Sequence, residues 1–101
     1  MAYRAVVMAT AEEDLSSAVS YASRISERPG AVDALLDAFD SMLDRLETFP
    51  FLYPESNNPR LSKDGYRKAA FGNYLALYKV EEDLVKVAHI FHQRQNYAKL
   101  V

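Results

Sequence analysis

The stretch that decides the fold is YRKAAFGNYLALYKVEEDLVKVAHIFH, Tyr66 to His92. Its apolar and β-branched residues fall into three runs, YRKAAF, YLALYKVE and LVKVAHIFH, separated by Gly72-Asn73 and Glu82-Asp83. Runs of this length bounded by turn residues read as strands, and a Gly-Asn pair between two of them is a hairpin signal. The segment is therefore expected to form an antiparallel meander of three strands. Alternation along a strand places Tyr74 and Tyr78 on one face, where a core role is expected. It places His89 and His92, three residues apart, on opposite faces, which speaks against a shared metal ion.

Upstream of the meander the periodicity changes. YRAVVM, from Tyr3 to Met8, is short and β-branched and suits a first strand. Thr10 with Glu13 has capping-box spacing, and Leu15, Ala18, Val19, Ala22 and Ile25 then recur at three and four residues. An amphipathic helix is expected to end near Arg28. Pro29 and Gly30 break it, and Val32, Leu35, Leu36, Phe39, Leu43 and Leu46 mark a second helix with acids on its outer side. TFPFLYPESNNPR holds three of the four prolines and reads as a loop, with Phe49, Phe51, Leu52 and Tyr53 expected to tuck onto the core. The order β-α-α-β-β-β defines an α+β fold: a small, mostly antiparallel sheet with a helical hairpin on one face. The other face is left for solvent, for the loop and tail, or for binding.

Length and composition narrow the function. A chain of 101 residues supports one modest core, so residues 1–101 are read as a single domain. Without cysteine there is no disulfide framework, thiolate metal site or cysteine nucleophile. No metal or other cofactor is expected. The N-terminus lacks the basic start and long apolar run of a signal peptide, and no stretch nears the roughly 20 apolar residues needed to span a bilayer. A cytoplasmic location is the expectation. The net charge of −2 conceals an asymmetry. Residues 1–56 carry ten acids against four bases, whereas residues 57–101 carry eight bases against four acids. A basic half is either the footprint of a polyanion or a solvated sheet face.

GAVDALLDAFDSMLDRLETFPFLYPE followed by GYRKAAFGNYLALYKVEEDLVKVAHIFHQRQNYAKLV resembles the RelE/ParE superfamily of toxins from bacterial type II toxin–antitoxin modules, often called plasmid stabilisation proteins. The resemblance rests on the order and spacing of the helical hairpin, the FP and YP loop, the GYR strand, the NYL strand and the terminal H-x-R-x-x-Y segment. Members resembling RelE cut messenger RNA in the ribosomal decoding site, the ribose 2′-hydroxyl attacking the adjacent phosphate. That reaction needs a base, an acid and cations around the developing charge, with no metal. The resemblance thereby implies His92 as base or acid, Arg94 as phosphate stabiliser and Tyr97 as proton donor or stacking surface. Arg60, Arg67, Lys68, Lys79 and Lys99 are candidates for contact with RNA or another target.

Members resembling ParE share the fold and instead poison DNA gyrase. Two positions separate the readings. RelE-like nucleases carry an arginine in the turn before the second meander strand and another after its tyrosine, where this chain has Phe71 and Leu75. The leading expectation is a ribosome-dependent endoribonuclease, which the His92, Arg94 and Tyr97 set favours; the alternatives are a gyrase inhibitor or a non-toxic module that only binds an antitoxin. A cognate antitoxin that folds as it wraps the toxin is the implied partner. Nothing in the sequence reads as a helix-turn-helix or zinc module, so operator DNA is expected to be reached only through that antitoxin.

Overall fold

The computed structural model describes residues 2–25 and 29–93. Four strands and three helices follow in the order β1 (Arg4–Val7), α1 (Ala9–Ile25), α2 (Ala31–Thr48), α3 (Pro59–Lys63), β2 (Arg67–Phe71), β3 (Tyr74–Glu81) and β4 (Leu84–His92). The expected β-α-α-β-β-β order is present, with one short helix added. The sheet order is β1-β4-β3-β2. The meander is antiparallel throughout, and β1 joins it parallel to β4 in the register Arg4 to Leu84 through Val7 to Val87. Parallel pairing requires a crossover between the strands, and the α1–α2 hairpin begins it.

Both long helices lie on one face of the sheet. Leu35, Phe39, Met42 and Leu46 recur along the inner side of α2, while Ala11 and Ala18 let α1 approach closely. They meet Ala69, Phe71, Ala76, Tyr78, Val85, Val87 and Ile90, the alternate residues of β2, β3 and β4. Gly30 makes the bend between the helices at φ 80°, a left-handed conformation that costs glycine little. Helix α1 begins at Ala9, so Thr10 lies inside its first turn and is not the cap that its spacing with Glu13 suggested.

The loop after α2 departs further from expectation. Phe49, Phe51 and Leu52 are 59%, 57% and 66% exposed, and only Tyr53 packs against the core. Polar contacts take the place of apolar burial. The Tyr78 hydroxyl donates to the Pro50 carbonyl at 2.8 Å, Arg45 Nε donates to the Tyr53 hydroxyl at 2.8 Å, and Arg67 donates to the Tyr53 carbonyl at 2.7 Å. Burial pushes the Tyr78 phenol up to about 12, an effect that nearby Arg67 partly opposes. Asn58 then caps α3, its side chain accepting from the backbone N–H groups of Arg60 and Leu61, with Pro59 in the first turn. Leu61 joins Leu77, Phe91 and Tyr66 in a second, smaller cluster on the sheet face away from the long helices.

Side chains and loop backbone engage the strand edges. The Ala5 N–H on β1 donates to Glu47 Oε2 at 2.8 Å. Beside β2, Lys68 N–H donates to the Pro54 carbonyl, Ser56 N–H donates to the Tyr66 carbonyl, and Glu55 bridges to Arg67. Where β4 runs on past the end of β1, the Ile90 N–H donates to Asp14 Oδ2 at 3.0 Å.

Candidate functional site

The geometry at the end of β4 is set by one unpaired residue. Tyr78 pairs with Val87 and Leu77 pairs with His89, leaving Ala88 without a partner on β3. This bulge reverses the phase of the strand. Before it, Val85 and Val87 face the long helices; after it, Ile90 does. His92 consequently falls on the helix face, its ring edge-on to Tyr74 at 5.4 Å between centroids. Tyr74 in turn stacks on buried Phe71 at 5.9 Å. His89 turns to the far face and stacks on Phe91 at 5.9 Å, so the two histidines do point to opposite faces.

An open cleft of about 830 Å³ lies between α1 and this end of β4. Asp14, Tyr21 and Arg24 line it from the helix, and Tyr74, His89 and His92 line it from the strands. Among the described residues, only His92 of the sequence-derived site residues reaches it. The helix residues went unnamed from sequence, although Thr10, Asp14, Ser17, Tyr21 and Arg24 recur at four and three residues and so form one polar stripe. That stripe acquires meaning only once α1 is known to lie beside β4. An imidazole, a guanidinium and a phenol in one cleft can hold an anion and exchange protons with it.

The other named residues lie elsewhere. Lys68 and Lys79 alternate with core residues on β2 and β3 and therefore project from the far face, away from His92. The Lys79 ammonium sits 4.4 Å from the centroid of the Tyr66 ring. Arg67 belongs to the loop: besides Tyr53, it approaches Glu55 at 3.9 Å and lies over the Phe51 ring at 5.2 Å. Arg60 is exposed in the first turn of α3. Arg94, Tyr97 and Lys99 lie outside the described residues. Among the described residues, no group of three or more His, Asp or Glu side chains is placed to hold a metal ion. No helix among them is long and apolar enough to cross a membrane.

A parallel-edged four-stranded sheet backed by a helical hairpin is the architecture of a known class of small bacterial toxin. The sequence model of the ParE toxin of type II toxin–antitoxin system, parDE, matches residues 6–97, and the chain belongs to that family. Two solved structures share the fold. One is the chromosomal ParDE toxin–antitoxin system from P. aeruginosa, with a TM-score of 0.70 and 14% identity over 89% of this chain and 95% of that one. The other is the toxin–antitoxin complex RelBE2 from Mycobacterium tuberculosis, with a TM-score of 0.60 and 18% identity over 91% of this chain and 99% of that one. No curated protein matches the sequence.

Proposed function

We propose that this toxin arrests growth by binding DNA gyrase and does not act by cutting messenger RNA. The observation that carries this reading is the pair Phe71 and Leu75. They occupy the two positions at which the nuclease resemblance implies arginines, and Phe71 is a core residue only 3% exposed. A cation there could be restored only by emptying the core beneath the β2–β3 turn. The ParE family match over residues 6–97 supports the same choice. A cognate antitoxin is the natural partner, since both solved relatives are toxin–antitoxin systems. It would hold the toxin inactive in the cytoplasm and supply any contact with operator DNA.

The α1–β4 cleft favours a second reading. His92, Arg24 and Tyr74 share it, and together they offer a base, a cation and an acid for metal-free attack of a 2′-hydroxyl on phosphate. One induction experiment separates the two. The chain is expressed without antitoxin, beside a His92→Ala/Arg94→Ala double variant, and plasmid supercoiling is followed together with primer extension on abundant messages. Relaxed or cleaved DNA with intact messages is the expected result. Cuts within translated regions that vanish in the double variant would overturn it in favour of the nuclease.

A further inference from the structure

The sheet register brings together four cations that are scattered along the sequence. Lys86 pairs with Lys79 across β4 and β3 and with Val6 on β1. Arg4 pairs with Leu84, one row toward one end of the sheet, and Lys68 pairs with Leu77, one row toward the other. All four alternate with residues of the main core and so share the far face. Each of the four strands thus contributes one cation to a single diagonal, Arg4, Lys86, Lys79 and Lys68. With strands about 4.8 Å apart and about 3.3 Å of rise per residue, the diagonal is roughly 20 Å long. That span corresponds to about six base pairs of duplex axis at 3.4 Å each. Glu81 is the one acid of β1 to β4 on this face, and it is paired with Lys86 at 2.8 Å.

We infer that this diagonal is a contact surface for the phosphate backbone of duplex DNA, in which gyrase and the toxin would be bridged; the choice of DNA rests on the gyrase reading above. Two observations favour a duplex over single-stranded RNA. Recognition of unpaired bases needs exposed rings to stack on. Here Lys79 already covers Tyr66 and Phe91 is buried, which leaves the half-buried His89 as a single ring and no row of them for successive bases. The cations are also spaced singly along a line, as for a run of phosphates, and form no pocket for one group. The opposite side of the molecule has the opposite sign. Asp33, Asp37, Asp40 and Asp44 recur at four, three and four residues along the outer side of α2, all exposed. A polyanion is therefore repelled from the helices and drawn to the sheet.

The test is fluorescence anisotropy of a labelled 20-base-pair duplex of mixed sequence titrated with the purified chain, without gyrase, at several salt concentrations. Each phosphate contact contributes about −0.9 to the slope of log K against log salt, so three to four contacts predict a slope near −3 and a loss of roughly 40- to 150-fold between 50 and 200 mM. Arg4→Gln, Lys68→Gln and Lys79→Gln should each flatten the slope by about 0.9, and the triple variant should lose only about threefold over the same range. Glu81→Gln should tighten binding. Absence of duplex binding, a slope unchanged in the triple variant, or tighter binding of a single-stranded RNA of equal length would overturn the inference. A chain that binds the duplex in this way yet leaves gyrase unaffected would support the inference and sink only the choice of target. One that inhibits gyrase with no salt signature from the diagonal would sink the inference and leave that target standing.

Discussion

Leu77 and Tyr78 are neighbours on β3, yet their partners on β4, His89 and Val87, are two residues apart. The extra residue, Ala88, decides which side chains beyond it are core and which are surface. Deleting Ala88 should remove only the bulge, because Val87, His89 and Ile90 then stand opposite Tyr78, Leu77 and Ala76 in plain alternation and Ile90 keeps its place against the long helices; deleting Ile90 instead should turn Phe91 toward the helices and His92 away from them. Loss of about 3 kcal/mol or more is expected for the Ile90 deletion, chiefly from the buried side chain removed, whereas the Ala88 deletion should cost about 1 kcal/mol at most. Urea unfolding of the two variants distinguishes them, and similar midpoints would contradict the phase argument.

The Tyr78 hydroxyl ties the sheet to the loop that follows α2. Tyr78→Phe should destabilise the fold by about 1–2 kcal/mol, because the buried Pro50 carbonyl loses its donor. The same contact predicts a pH dependence. The phenol is raised to about 12 from an ordinary value of 10, so its contribution is complete below pH 10 and is lost as pH climbs toward 12. By pH 12 the wild-type chain should have lost roughly 2 kcal/mol more than the Tyr78→Phe variant. Parallel losses in denaturation series from pH 9 to 12 would rule this out.

Asp14 stands in for a missing strand. Its carboxylate accepts from the Ile90 N–H at the point where β1 has ended and β4 has not. Asp14→Ala should leave that N–H unpaired at a cost of about 1–3 kcal/mol, with Asn retaining part of the contact. Amide hydrogen exchange at Ile90 reports it directly: exchange should quicken in the Ala variant and change less in the Asn one.

Glu82 is the single non-glycine among the described residues with a left-handed backbone, at φ 58° in the β3–β4 turn. Glu82→Gly should stabilise the chain by roughly 0.5 kcal/mol, and Glu82→Val should destabilise it by about 1 kcal/mol, since a β-branched side chain fits that conformation poorly. Thermal midpoints moving in opposite directions are expected, and a common direction would refute the strain.

Much of this architecture is legible in the residues themselves. The turns at Gly72-Asn73 and Glu82-Asp83 and the repeat from Leu35 to Leu46 are local patterns, and local patterns set strands and helices. The misread features depend on partners distant in sequence. Phe49, Phe51 and Leu52 look like core residues until Tyr78 and Arg67 are seen to hold the loop by its backbone. Arg67 reads from sequence either as a target contact or as the partner of a loop acid, and the fold brings the loop's Glu55 and Phe51 beside it. His92 could be assigned to a terminal strand but not to a face, because nothing in VKVAHIFH announces that Ala88 is skipped. Arg4 and Lys86 lie some eighty residues apart and belong to one line of charge only through the parallel pairing of β1 with β4.

The contacts from Glu47, Asp14 and the Pro54–Ser56 backbone have a further effect. An unpaired strand edge is a template on which a second copy can add its own strand, and small β-rich proteins that expose one tend to grow into fibres. In this chain the Ala5, Ile90 and Lys68 N–H groups on such edges are already held by its own carboxylates and a loop carbonyl. A second strand approaching at these points would first have to displace contacts that the chain makes to itself.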